Sequence, residues 1–230
     1  MKILAIGAHP DDVEFGCAPI LIKEAEKGNK VKIFCLSLGE AGSAGTPKER
    51  KQEAMEASKV IGAEIAFLDM GGDCHIEYTP VNSIKLAKII REEKPNIILA
   101  PDTNENQHPD HSAAGKLTRD ASRLARYGGL EELKSLAVHK IDQLYYYPIT
   151  QFFGAKPNIL IDVSQVHKKW TEAMECHKSQ MKSKKYSEMI SSWSRALGSA
   201  IGVEYAVGLK TNEPIRLDNV SDINLSSRNY

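Results

Sequence analysis

The chain has 230 residues, with 30 Lys and Arg balanced by 30 Asp and Glu, 42% apolar residues and 26% charged ones. That length buries a sizeable core, and the composition excludes wholesale disorder. With zero formal net charge and no basic half, nothing marks nucleic acid or an anionic membrane surface as a partner.

The apolar runs fall far short of the ~20 residues that span a bilayer. The opening MKILAIGAHPDD lacks the apolar region and small-residue cleavage site of a secretory leader, so a cytoplasmic protein is expected. Cys17, Cys35, Cys74 and Cys176 are scattered without a CxxC spacing. This favours free thiols over a disulfide framework or a thiolate zinc site.

In chain order, Lys2–Gly7 is a continuous apolar run, the mark of a strand buried on both faces of a parallel sheet. Apolar residues at helical spacing predict a helix from Val13 to Lys27 with Gly28 behind it. Val31–Ser37 is a second strand, followed by the small-residue loop Gly39–Thr46. A helix from about Lys48 to Ile61 then ends at Gly62. Ile65–Leu68, Val81–Glu93 and Asn96–Ala100 read as strand, helix and strand, and helix resumes near Asp110. Gln143–Tyr147 and Asn158–Val163 are further strands, with Ser164 as N-cap of the next helix.

The alternation predicts an α/β fold: a doubly wound, mostly parallel, Rossmann-like sheet. Neither linker nor repeat divides the chain. One domain is expected, with residues 1–140 as the core and 141–230 as a C-terminal extension packed on it.

In such sheets ligands sit beyond the carboxyl ends of the strands, at a topological switch point. The first strand runs into Ala8-His9-Pro10-Asp11-Asp12, and after the fourth comes His108-Pro109-Asp110-His111. A dinucleotide site would need GxGxxG after the first strand; here two carboxylates stand where phosphates would lie, and a divalent cation is the better guest. Asp12 or Asp110 alone would pass for a helix cap, and a lone histidine for a core residue. Three of seven histidines in two loops at one sheet edge point to chemistry. His75, His139, His167 and His177 read as structural or solvated.

Two imidazoles and one carboxylate suit catalytic zinc, and equally a non-haem Fe(II) oxygenase. The spare carboxylate and histidine favour hydrolysis, which needs a base for the water and an acid for the leaving group. A non-catalytic sugar-binding module of the same fold is a further alternative.

The two motifs resemble the hallmarks of the PIG-L/LmbE-like family of zinc-dependent N-deacetylases. The likeness extends through Gly39-Glu40, Arg50, Glu53 and Gly62 to Lys156-Pro-Asn, His177-Lys-Ser-Gln180 and Gly202–Ala206. It is most similar to the bacillithiol-biosynthesis branch, which acts on N-acetylglucosaminyl-malate. The resemblance implies His9, Asp12 and His111 as ligands of Zn2+, with Fe2+ or another divalent ion as the alternative. It implies Asp11 as general base, His108 as partner of the tetrahedral intermediate, and Asp110 as the acceptor that orients a histidine.

Arg50 and Gln107 are its candidate substrate contacts, Gln107 standing where some relatives carry Arg. Val207 stands where relatives often carry Glu. The Gly39–Thr46 loop is expected to be a substrate lid. The implied partners are a small acetylated amino sugar and other copies of the chain, as a trimer or hexamer.

Overall fold

The computed structural model describes residues 1–104, 108–149 and 156–222. Its centre is a sheet of β1 (Lys2–Gly7), β2 (Lys30–Cys35), β3 (Glu64–Phe67), β4 (Ile97–Pro101) and β5 (Gln143–Tyr147). All its pairings are parallel, in the order β3-β2-β1-β4-β5. The chain winds from β1 outward through β2 to β3, then crosses back to lay β4 on the other side of β1. That reversal makes the gap between the carboxyl ends of β1 and β4 the switch point.

The apolar run of β1 serves two cores, as its period of two requires. Ile3 and Ala5 face one layer, with Leu21, Ile22, Ile33 and Ile61. Leu4 and Ile6 face the other, with Phe34, Leu86, Ile90 and Leu117. The first layer contains α1 (Asp12–Gly16), α2 (Ala18–Glu26) and α3 (Pro47–Ile61); the second contains α4 (Pro80–Glu93) and α5 (Pro109–Leu124).

The helix expected over Val13–Lys27 is two helices. Cys17 sits between them at φ −145°, and Pro19, second in α2, has no N–H to continue the ladder from Phe15. The break lets Ala18–Glu26 lie along the sheet while the short α1 turns its first residues to the switch point. Gly16 is required here, because a Cβ on it would meet the Tyr147 ring at 2.2 Å. Tyr147 in turn donates its hydroxyl proton to the Ile6 carbonyl at 2.5 Å. The parallel sheet thus runs past residue 140, and Tyr147 braces β1 from β5.

Downstream, β6 (Ile159–Asp162) and β7 (Ala206–Leu209) form an antiparallel pair. Between them lie α6 (His167–Glu175), α7 (Lys178–Met181) and α8 (Tyr186–Ala200). Val163, Trp170, Met174, Ile190 and Leu209 join the same core as Ile3 and Ala5. Ser164 is not the expected N-cap: a 3-10 turn, Ser164–Val166, precedes α6, whose capping residue Val166 offers no side-chain hydrogen bond. The Ser164 hydroxyl instead donates to Asp162 at 2.7 Å and accepts the Tyr205 amide at 3.0 Å, tying β6 to β7. Among the described residues no helix is long and apolar enough to cross a membrane.

Candidate metal centre and active site

β1 ends at Gly7, and the next five residues fold back on themselves. The Asp12 carboxylate accepts the amides of Ala8 at 2.8 Å and His9 at 2.9 Å, closing the turn. The same oxygen, Oδ2, is 3.5 Å from His9 Nδ1, and Oδ1 lies 3.1 Å from His111 Nε2. Asp11 adopts φ +117°, a left-handed conformation that costs a non-glycine residue about 1–3 kcal/mol. The strained backbone sends the two carboxylates apart: Asp12 to the imidazoles, Asp11 to Arg50, whose Nη2 donates to it at 3.3 Å.

The second loop arrives from β4. His108 is the N-cap of α5, its Nδ1 accepting the Asp110 amide at 3.2 Å. Asp110 is therefore not the cap. Its carboxylate faces back across the switch point, 3.2 Å from His9 Nε2, and accepts the Cys74 amide at 2.8 Å. His9 is thereby held at both nitrogens, with Nδ1 toward Asp12 and Nε2 toward Asp110. This is the arrangement that orients a metal-binding imidazole. The rings of His9, His108 and His111 have centroids 4.6–5.5 Å apart.

Sequence reasoning missed Asp73. It follows β3 at the same sheet edge, and its Oδ1 lies 3.0 Å from His9 Nε2. The strand-end rule, applied to β3 as well as to β1 and β4, would have found it. Glu14 and His177 were also missed as a pair; both are buried, with His177 Nε2 3.6 Å from Glu14 Oε1.

Arg50 is 4% exposed. Besides Asp11, its guanidinium donates to the carbonyls of Pro10 at 2.9 Å and Gly39 at 3.0 Å. Gly39, at φ +69°, wraps the loop around it so closely that a Cβ would meet Nη1. The same loop is held from α7, where Gln180 donates to the Ala44 carbonyl at 2.8 Å. Gln107 lies outside the described residues.

These groups line a cavity of about 370 Å3, with Asp11, Arg50, His108 and Gln180 on its walls beside the imidazoles. Its electrostatics call for a cation. Burial pulls the His9 imidazole down, but the charge of Asp12 and hydrogen bonds to Asp110, Asp12 and Asp73 outweigh it and carry it up to about 12. Burial raises Asp12, and the charges of His111 and His9 overcome that and hold it well below the usual carboxylate range.

Four carboxylates this close are costly unless positive charge is supplied. A divalent ion does so while leaving the histidines neutral. His9, Asp12 and His111 fit the role: one donor atom from each lies within 4.8 Å of the others, and all three residues are buried. Asp11 stands beside that set. Burial pushes its carboxyl up to about 6, against the pull of Arg50 and with the help of Asp12.

The family model PIG-L, GlcNAc-PI de-N-acetylase, matches residues 4–122, which hold both loops. The chain belongs to the PIG-L family. The conserved protein TT1542 from Thermus thermophilus has the same fold, at a TM-score of 0.85 and 31% identity over 94% of this chain and 96% of that one. Diacetylchitobiose deacetylase of Thermococcus kodakarensis is 29% identical over 78% of this chain and 70% of its own length. The 4-oxalmesaconate hydratase of Pseudomonas putida is 23% identical over 95% and 92%.

Other PIG-L relatives, in Bacillus, carry the name probable N-acetyl-alpha-D-glucosaminyl L-malate deacetylase 2. The motif resemblance to the LmbE-like deacetylases and the expected parallel α/β fold are both borne out.

Proposed function

We propose that this PIG-L protein is a zinc-dependent N-deacetylase of a small N-acetylglucosaminide with a malate-like aglycone. The observation that carries it is Asp11, turned by its positive φ onto the same cavity wall as His9, Asp12 and His111. A hydrolase needs a base beside its metal that is not itself a ligand. His9, Asp12 and His111 would hold the ion, which supplies Lewis-acid polarisation of the acetyl carbonyl and activation of a water.

Asp11 takes a proton from the attacking water as the new C–O bond forms. His108, at the helix N-cap with Nδ1 engaged by an amide, presents Nε2 to the oxyanion and to the leaving nitrogen. The C–N bond breaks, the amine leaves protonated, and acetate is released. Asp110 keeps His9 in register, and the guanidinium of Arg50 steadies Asp11 and faces an anionic aglycone.

The same reading carries a cytoplasmic setting and assembly into trimers or hexamers, the latter checked by light scattering. The decisive experiment offers the purified chain N-acetylglucosaminyl-malate, a neutral N-acetylglucosaminide and diacetylchitobiose, and measures acetate and free amine. Equimolar release of both from the malate-bearing substrate is expected. A chain loaded with zinc that releases acetate from none of them is not this enzyme.

A further inference from the structure

At the cavity mouth, three donors of different chemistry form a near-equilateral triangle. Cys74 Sγ lies 3.6 Å from His108 Nε2 and 3.6 Å from Asp73 Oδ1, and those two are 3.7 Å apart. Zinc bound tetrahedrally, at about 2.3 Å to sulfur and about 2.0–2.1 Å to nitrogen or oxygen, separates its ligand atoms by about 3.4–3.6 Å. The triangle matches one face of that tetrahedron, and the exposed position of Cys74 leaves the fourth corner to solvent. We propose that Asp73, Cys74 and His108 form a second zinc site, next to the His9–Asp12–His111 set and separate from it, whose occupation inhibits the enzyme.

The site is assembled by backbone that serves another purpose. Cys74 has φ +66° and donates its amide to Asp110, so its side chain is held over the cavity rather than left to wander. Asp73 is fixed by the Ala41 amide on Oδ2 at 3.2 Å, which leaves Oδ1 toward His108 and His9. Binding forms a Zn–S bond and releases the thiol proton to solvent.

Ligation through Nε2 also places the ring proton of His108 on Nδ1, at the expense of the Asp110 amide contact. That loss and the open fourth corner make the second ion bind at least ten-fold more weakly than the first. It acts when zinc is in excess. Inhibition follows because the second ion takes the nitrogen that faces the oxyanion; this consequence rests on the role proposed for His108, whereas the site itself does not.

Cobalt(II) titrated into the full chain reads the ligands directly, because a thiolate gives an intense near-ultraviolet charge-transfer band that nitrogen and oxygen ligands lack. The first equivalent should bind without the band and the second should bring it. Cys74→Ser should lose the band and the second equivalent while keeping the first, and Cys176→Ser should keep both. No thiolate band at any ratio, or a band that survives Cys74→Ser, overturns the site.

Zinc beyond one equivalent should slow acetate release at least ten-fold in the wild type and leave the rate of Cys74→Ser as it was at one equivalent. Equal slowing in both overturns the inhibitory role. A chain that shows the expected bands and hydrolyses no acetyl sugar upholds the site and refutes the deacetylase.

Discussion

Lys2 and Lys32, on β1 and β2, both reach Glu93 near the amino end of the sheet, each at 2.5 Å. At the carboxyl end of the same sheet, Asp11, Asp12, Asp73 and Asp110 converge from behind β1, β3 and β4. There Arg50 is the one Lys or Arg paired with any of them among the described residues. Burial raises Glu93, but its two ammonium partners outweigh that and bring its carboxyl below the ordinary range. Near the amino end charge is cancelled by neighbours and holds strands in place. At the other end it is left in surplus, and the surplus reserves a place for a cation. Four substitutions probe that contrast.

Asp11→Asn, at the uncancelled end, should lower kcat by ~100- to 10,000-fold while metal content stays near one ion per chain. Loss of the ion in this variant would make Asp11 a ligand and require its role to be exchanged with that of Asp12. Arg50→Ala should reduce kcat/KM on neutral and malate-bearing acetylglucosaminides alike, since Asp11 loses its guanidinium. A further loss of roughly 1.5–3 kcal/mol is expected on the malate-bearing one. Equal losses on the two substrates would confine Arg50 to Asp11 and the loop.

Asp110→Asn removes the carboxylate that orients His9 and should weaken metal affinity roughly 10- to 100-fold, measured by competition with a chelator. Unchanged affinity would mean that Asp73 alone fixes the ring.

Glu93→Gln, near the cancelled end, should leave metal and activity alone and cost about 1 kcal/mol of stability at pH 7. Because the folded carboxyl is depressed, the unfolded chain binds the proton first as pH falls. The stabilisation is therefore complete above the ordinary glutamate range, near 4.3, and lost below it. Urea unfolding of both proteins should converge at the acid end of the titration, where the carboxyl is protonated in both states. A gap that persists there would assign the effect to packing.

Much of the site was legible because its residues are local in sequence. Ala8–Asp12 and His108–His111 each follow a strand, and the parallel alternation brings those strand ends to one edge. What stayed hidden was contact between distant segments. Nothing around Asp73 resembles a ligand motif, and only the third strand's position carries it to His9. Glu14 and His177 lie far apart in the chain, and each by itself reads as an ordinary polar residue.

The divergence of Asp11 from Asp12 comes from a positive φ at Asp11, which composition does not reveal. The broken helix at Cys17 was readable in principle from Pro19, but the apolar spacing on either side masked it. Ser164 looked like a cap because the 3-10 turn that displaces the helix start depends on β7, which lies much later in the chain.

The Trp170 indole donates its proton to the Glu14 carbonyl at 2.7 Å, and Trp170 is itself almost wholly buried. The helix that begins at Asp12 is therefore clasped by a residue made long after every proposed ligand. The ribosome adds ~5–20 residues per second, so His9, Asp12 and His111 emerge seconds before Trp170 and His177. Until those arrive the turn around Asp11 is held by Asp12 from within and by Arg50 from α3, without the clasp on Glu14. The clasp on the helix that carries Asp12 thus closes only once α6 has been made and has docked.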